Sequence, residues 1–292
     1  MPPKGSTIQC SIEVPGAPTA YINFLNTDGR LVSHTPGVNS LYDNFLRGRS
    51  LAGKSSPVFG YRPVVDGLGN VGAYRWVTWD VFHERFVNFS SGLRQLGMQA
   101  GDRIGIFAPN SVEWVMTEFA SYYQRIVSVP IYEALGADVL AYVVAQSGMS
   151  VIVCTSANAR RLLSLIDGMP EVRDIIVVDA PVSDLVQLGN AHNVAVRTLR
   201  AVEDAGARLV VEPEMLPRPS DTATIIYTSG TVGMPKGVVL THANLLASTA
   251  SVVAMQQDTS FYTFTPDDCS MGFLPLAHCL GRMVMHLMLA IG

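Results

Sequence analysis

Phe82, Phe86, Phe89, Leu93 and Leu96 fall on one face at helical period, and Gly97 stands where such a helix should close. Upstream, residues 1–60 are rich in Gly, Pro and Ser. They read as an irregular segment with one short helix at 41–46, followed by extended stretches at 61–65 and 74–78. Downstream, short apolar runs at 103–107, 126–129, 151–154 and 175–178 have strand length, and helical period marks 110–123, 137–146 and 158–166. Asn110, with Glu113 three residues later, resembles a capping box opening the first of these helices. Strands alternating with helices at this rhythm predict right-handed crossovers and an α/β fold, a doubly wound, largely parallel sheet with helices on both faces. A polar, Pro-containing connector at 212–221 divides the chain further. The expected organisation is an irregular N-terminal segment (1–60), a first α/β subdomain (61–211) and the start of a second (212–292).

Composition narrows the class. Apolar residues make up 48% of the 292 and charged residues 15%, with a net charge of −4. The charged share is well under the usual value of about 25%, so a disordered chain is excluded. Without a basic surface, no nucleic-acid partner is expected. Cys10, Cys154, Cys269 and Cys279 are irregularly spaced with no C-x-x-C pair, which predicts neither a disulfide framework nor a zinc module. A reducing, cytoplasmic setting is the expectation. No apolar run reaches the roughly 18 residues of a membrane span. The nearest, 283–292, is short, carries His286 and stops abruptly, so the chain reads as an N-terminal portion of something longer.

Two Gly-rich segments compete as phosphate-binding loops. Gly67-Leu68-Gly69-Asn70-Val71-Gly72 matches G-x-G-x-x-G, but the residues after it look extended and no acid follows at the dinucleotide-binding distance. It reads as a hairpin turn. The second segment is Tyr227-Thr228-Ser229-Gly230-Thr231-Val232-Gly233-Met234-Pro235-Lys236-Gly237-Val238, between two β-rich runs. Glycines let backbone N–H groups approach an anion, Thr228, Ser229 and Thr231 add hydroxyl donors, and Lys236 adds a mobile positive charge. That chemistry suits a polyphosphate. It is not a Walker A loop, because Pro235 precedes the lysine, Gly237 follows it, and no helix comes directly after.

The second segment resembles the phosphate loop of the adenylate-forming acyl-CoA synthetases. The long-chain fatty acyl-CoA synthetase branch fits best. Leu41-Tyr42-Asp43-Asn44-Phe45-Leu46 is similar to its early helix, and Gly101–Phe107 with Asn110, Glu113 and Trp114 to its first βα unit. Val129-Pro130-Ile131-Tyr132 through Gly136 is similar to its next loop, and Leu274-Pro275-Leu276-Ala277-His278 through Arg282 to its second core motif. The likeness covers about residues 40–292 in order. Val232 departs from it, standing where the family usually has Thr or another small polar residue.

The resemblance implies a long-chain fatty acid–CoA ligase. A fatty acid carboxylate attacks the α-phosphorus of ATP, giving acyl-adenylate and diphosphate, and the CoA thiol then displaces AMP. It implies ATP contacts from Thr228, Ser229, Gly230, Thr231, Gly233 and Lys236, catalytic roles for Lys236 and His278, and Mg2+ bridging the phosphates; no metal ligand is assigned on this chain. Its adenine and ribose contacts, hinge and C-terminal catalytic lysine would lie beyond Gly292. Partners would be the long-chain fatty acid, ATP and CoA, with peripheral membrane association at the cytosolic face of an intracellular membrane such as the endoplasmic reticulum. Other readings stay open: a ligase for another carboxylic acid, a silent ATP-binding piece, or a phosphate-loop NTPase. His278, Arg282 and His286, spaced four apart, could equally share one polar helical face. His242, after the N-cap candidate Thr241 of a helix at 243–255, reads as structural. The small side chains of that helix would either leave space for an acyl tail or allow close packing.

Overall fold

The computed structural model describes residues 11–14, 17–23, 32–179, 182–228, 233–255 and 264–292, the first two stretches by backbone alone. Strands β1 (Ser11–Val14) and β2 (Ala17–Asn23) pair antiparallel, so the N-terminal segment holds a hairpin where an irregular stretch was expected. Helix α1 (Leu41–Ala52) outruns its expected end. Ser40 caps it by accepting from the Asp43 N–H, and Leu41 and Phe45 bury one face. Strand β3 (Pro57–Tyr61) pairs antiparallel with β4 (Arg75–Thr78). The first of these lies earlier than the expected 61–65, where only a single bridge, Val64 to Val71, forms across the Gly-rich turn.

Helix α2 (Trp79–Gln95) carries the Phe stripe inward, with Phe82, Phe86, Phe89 and Leu93 wholly buried. After it the wound pattern runs β5 (Arg103–Phe107), α3 (Val112–Tyr123), β6 (Val127–Pro130), α4 (Ala137–Ser147), β7 (Val151–Cys154), α5 (Ser156–Leu163) and β8 (Asp174–Val177). Beyond the last expected strand come α6 (Ser183–Ala191), β9 (Ala195–Thr198) and α7 (Leu199–Arg208). Then β10 (Thr222–Thr228), β11 (Lys236–Thr241), α8 (His242–Met255) and α9 (Cys279–Ile291) complete the described chain.

One seven-stranded sheet takes the order β11-β10-β6-β5-β7-β8-β9, parallel throughout except for the β10–β11 edge pair. The strands on either side of the division expected near residue 212 are therefore hydrogen-bonded neighbours in one sheet. Its two faces bury different side chains, as period-two strands require. Ile104, Ile106, Val151 and Val153 join α1, α2, α3 and α7 in one apolar cluster. Phe107, Ile152, Cys154, Ile175 and Val177 join α4, α5 and α6 in the other. The doubly wound expectation holds. Leu245, Leu246, Thr249 and Ala250 form the buried side of α8, which packs against α9 and β11. Thr241 Oγ1 accepts from the Asn244 N–H at 3.2 Å at the start of that helix.

Helices α2 and α7 cross closely because glycines stand at the crossing. A Cβ at Gly206 would lie 1.8 Å from the Asn88 carbonyl oxygen, and one at Gly92 would lie 2.2 Å from that of Val202. The obstructing atoms are backbone, so the helices must part to admit a methyl group. Gly206→Ala should cost about 1–3 kcal/mol by overpacking, read as a lower urea midpoint at unchanged m-value. An unshifted midpoint would show that the crossing yields freely.

Candidate functional site

Strand β10 leaves the sheet interior beside β6 and turns back through β11, with Ile226 opposite Val238, Tyr227 opposite Gly237 and Thr228 opposite Lys236. Gly237 is needed for this register. A Cβ there would meet Ile225 Cγ2 at 2.9 Å and the Tyr227 ring at 3.2 Å. Gly233, at φ +94, takes the left-handed backbone that bends the chain back. Thr228, Gly233 and Lys236 are exposed at this end of the hairpin. Ser229, Gly230 and Thr231, with Val232, lie outside the described residues. The bend stands at the carboxyl ends of the parallel strands, the edge where open α/β sheets take ligands. A cavity of about 380 Å³ lined by Gly101, Arg103, Arg125, Asp221 and Thr222 lies at the amino ends instead.

The second core motif reaches the carboxyl edge through Asn110, which follows β5. Asn110 Nδ2 donates to the carbonyls of Gly272 and Leu274 at 2.9 and 2.7 Å, and its Oδ1 accepts from the Leu276 N–H at 2.9 Å. The expected capping role of Asn110 is corrected: Ser111 Oγ caps α3 by accepting from the Trp114 N–H at 3.1 Å. Asn110 is freed to clamp the strap that leads into His278. His278 is exposed and caps α9, its Nδ1 accepting from the Leu280 N–H at 3.3 Å. An acceptor Nδ1 places the ring proton of the neutral imidazole on Nε2.

Arg282 and His286 do not share a solvated face with His278; both turn into the protein and are fully buried. The Arg282 guanidinium ion-pairs with buried Glu118 of α3. Its Nη1 donates to Thr224 Oγ1 of β10 at 2.9 Å and its Nη2 to the Tyr122 hydroxyl at 2.8 Å. Thr224 Oγ1 in turn donates to the Ser128 carbonyl of β6 at 2.8 Å. One side chain thus joins the helix that His278 opens to the strand that ends at Thr228. Burial raises the Glu118 carboxyl above its ordinary range, with Arg282 pulling the other way. Burial and the nearby Arg282 charge hold His286 well below its usual value, so the ring is neutral, with Nε2 3.7 Å from Glu118 Oε2.

His242 is buried beside this cluster. Its Nδ1 accepts from the Leu41 N–H at 3.3 Å, tying α8 to the start of α1. Burial lowers its pKa to about 4, against a weaker upward pull from Asp221. Sequence reasoning assigned nothing to Glu118, the one charged residue among the buried residues of α3. A charge in mid-helix, past the first turn where Glu113 suits the helix dipole, among largely apolar positions is the signal that could have found it. Among the described residues, no three His, Cys, Asp or Glu side chains gather to hold a metal ion.

Two outcomes follow. Arg282→Met or Glu118→Gln alone strands a buried charge or its partner groups, and each should cost about 3–5 kcal/mol. The double variant should cost clearly less than their sum in urea unfolding, whereas additive losses would deny the coupling. His242, with a folded pKa near 4 against an ordinary 6.5, favours the neutral ring. Its contribution is complete above pH 6.5 and is lost as pH falls from there through 4, roughly 3 kcal/mol for the full shift. The urea midpoint should drop across that window, and His242→Asn should flatten the drop; an equally steep drop in the variant would assign it to other groups.

With this geometry in place, comparison with known proteins gives consistent relatives. A family model described as AMP-binding enzyme matches residues 57–292. The chain is 34% identical over 297 residues to long-chain-fatty-acid–CoA ligase 1 of Homo sapiens, covering 100% of this chain and 41% of that protein. It is 37% identical over 227 residues to fatty acyl-CoA synthetase A of Dictyostelium discoideum, covering 77% of this chain and 32% of that one. The chain therefore spans well under half the length of these relatives. Among solved structures, the adenylation domain of a Mycobacterium chelonae carboxylate reductase superposes with a TM-score of 0.69 at 17% identity, over 89% of this chain and 42% of that one. A long-chain-fatty-acid-CoA ligase from Archaeoglobus fulgidus superposes at 0.65 with 22% identity, over 90% and 47%. At such identity these two speak for the fold.

Proposed function

Because the chain belongs to the AMP-binding enzyme family, we propose that the protein carrying it is a long-chain fatty acid–CoA ligase working through an acyl-adenylate. The observation that carries this reading is the continuous likeness to a protein of that name at 34% identity across the whole chain. The geometry supports it. Thr228 and Lys236 face each other at the carboxyl edge of the sheet, and Asn110 draws the His278 strap to the same edge.

In the proposed first step, a carboxylate oxygen forms a bond to the α-phosphorus of ATP while the bond to the bridging oxygen of diphosphate breaks. Two anions meet, and negative charge grows on the leaving group. Positioned positive charge and N–H or O–H donors are what lower such a barrier. Lys236, exposed and adjacent to Thr228, supplies charge at the diphosphate end, and the amides and hydroxyls of 228–233 supply donors. His278, its Nε2–H available, would stand toward the reacting carboxylate. In the second step the CoA sulfur bonds to the acyl carbon and AMP departs. Magnesium enters this reading as the nucleotide's companion ion; the described residues gather no cation site of their own, and no step is assigned to it. The acyl substrate partitions into lipid, so the reading also places the protein at a membrane surface, on its cytosolic side.

The test is fatty-acid-dependent exchange of labelled diphosphate into ATP by the full-length protein. Lys236→Ala should lower exchange by about 30–100-fold, the worth of one charge-assisted contact of roughly 2–3 kcal/mol. The melting temperature should stay put, because the side chain is exposed. Palmitate should support exchange better than acetate or benzoate. Exchange without preference for long chains would move the reading to another acid, and ATP hydrolysis with no acid present would end it. A collapse in stability at unchanged nucleotide affinity would make Lys236 structural.

A further inference from the structure

The hairpin made by β3 and β4 keeps an unusual share of apolar surface in water. Val64, Val65, Leu68, Val71, Tyr74 and Trp76 are 64%, 61%, 90%, 44%, 58% and 50% exposed. Exposed apolar residues scattered singly need no explanation, but a contiguous group does. The root of the hairpin is fixed: the Phe59 ring lies 4.7 Å from that of Phe82, Val77 is buried, and the Trp79 N–H donates to the Ser56 carbonyl.

The tip is shaped as well as free. Asp66 Oδ1 accepts from the Leu68 and Asn70 N–H groups at 2.9 and 3.0 Å, and its Oδ2 from Asn70 Nδ2 at 2.6 Å. Gly69 turns the chain at φ +84, and the Val65 N–H closes the loop onto the Asn70 carbonyl at 2.8 Å. Arg62 donates to the carbonyls of Gly72 and Val71 and sits 5.9 Å from the Tyr74 ring centroid. Tyr74 stacks on Trp76, centroids 6.1 Å apart. A turn held by this many bonds presents its aliphatic side chains in a set arrangement.

The order of side chains from tip to root decides the partner. Aliphatic residues occupy the tip around Asp66, and behind them on the strands the stacked Tyr74 and Trp76 stand level with the cations Arg62 and Arg75, which outnumber Asp66, the one acid between residues 57 and 78. On a chain of net charge −4 this is a cationic, apolar-tipped arm. A bilayer leaflet offers the same two layers, acyl chains below an interface whose anionic headgroups favour aromatic and basic side chains together.

We propose that the β3–β4 hairpin is a membrane-docking arm that seats its tip in the headgroup and acyl boundary of an anionic lipid surface. The Asp66 carboxylate keeps the insertion shallow, so contact is peripheral and reversible. This deepens the reading of the protein as a lipid-acid ligase by naming the surface that meets the lipid. It is tested without ATP or CoA, so vesicle binding and ligase activity can fail independently.

The probe is built into the chain. Of three tryptophans, Trp79 and Trp114 are 1% exposed and Trp76 is 50% exposed. Phosphatidylcholine vesicles containing phosphatidylserine should shift the emission to the blue and carry the chain upward in flotation, more than phosphatidylcholine alone and less as salt rises. Leu68→Asp should weaken flotation at least ten-fold without changing the melting temperature, since the side chain touches little. Trp76→Phe should abolish the spectral shift yet keep most of the flotation. Undiminished flotation of Leu68→Asp overturns the proposal. So does a blue shift that grows with protein concentration in the absence of lipid, which would make a second copy the occupant.

Discussion

The helix that His278 opens and the strand that ends at Thr228 are held together through a buried ion pair. Arg282 and Glu118 are both wholly removed from water, and each would be costly there without the other. Their pairing fixes α9 against α3, and the remaining guanidinium donors extend the constraint to Thr224 of β10 and to Tyr122. The helix opened by His278 and the strand that runs out to Thr228 therefore cannot shift independently. An apolar contact of equal size would let them slide. Directional bonds from one planar group to two elements specify a geometry, which is what a site needs from its supports. Asn110 repeats the device with neutral groups, spending both ends of its amide on the strap from 272 to 276.

The parallel core was legible because its strands are buried on both faces. Residues 104–107 of β5 and all of Val151–Cys154 appear in the sequence as uninterrupted apolar runs, and the expected ends of both strands are the observed ones. The far edge was not. In β9 only Val196 is buried, and Arg197 points to a salt bridge with Asp174, so no run marks the strand. Helix α7 hides its period in the same way: Glu203 occupies its buried face, made tolerable by Arg85 from α2. Long-range pairing supplies what the local pattern lacks there, and a single sequence does not display it.

The candidate site stands in the sequence by its residue types, and its supports do not. The bend from 228 to 236 announced itself by glycines, hydroxyls and a lysine, and the register of Thr228 against Lys236 places its two ends together. Glu118, Asn110 and Arg282 act through partners 58 to 166 positions away in sequence. Spacing of four along α9 suggested one polar face for His278, Arg282 and His286. The helix instead sends the first outward as its cap and the other two into the core, because Glu118, Tyr122 and Thr224 wait there to receive the guanidinium.

A hairpin is a different answer to phosphate binding than a loop opening a helix. A helix N-terminus adds the field of its aligned peptides to the N–H groups of the loop. Strands carry only a small net dipole, so β10 and β11 bring no such field. On the proposed reading the bend relies on its own side chains, a dense set of hydroxyls with a lysine at the far end. The arrangement also leaves the lysine on an edge strand, exposed and able to move, since β11 has β10 as its one neighbour in the sheet. In the proposed reaction that mobility has a use. The charge to be stabilised shifts from the α-phosphorus to the departing diphosphate as the bond breaks, and a flexible ammonium follows it where a fixed dipole would not.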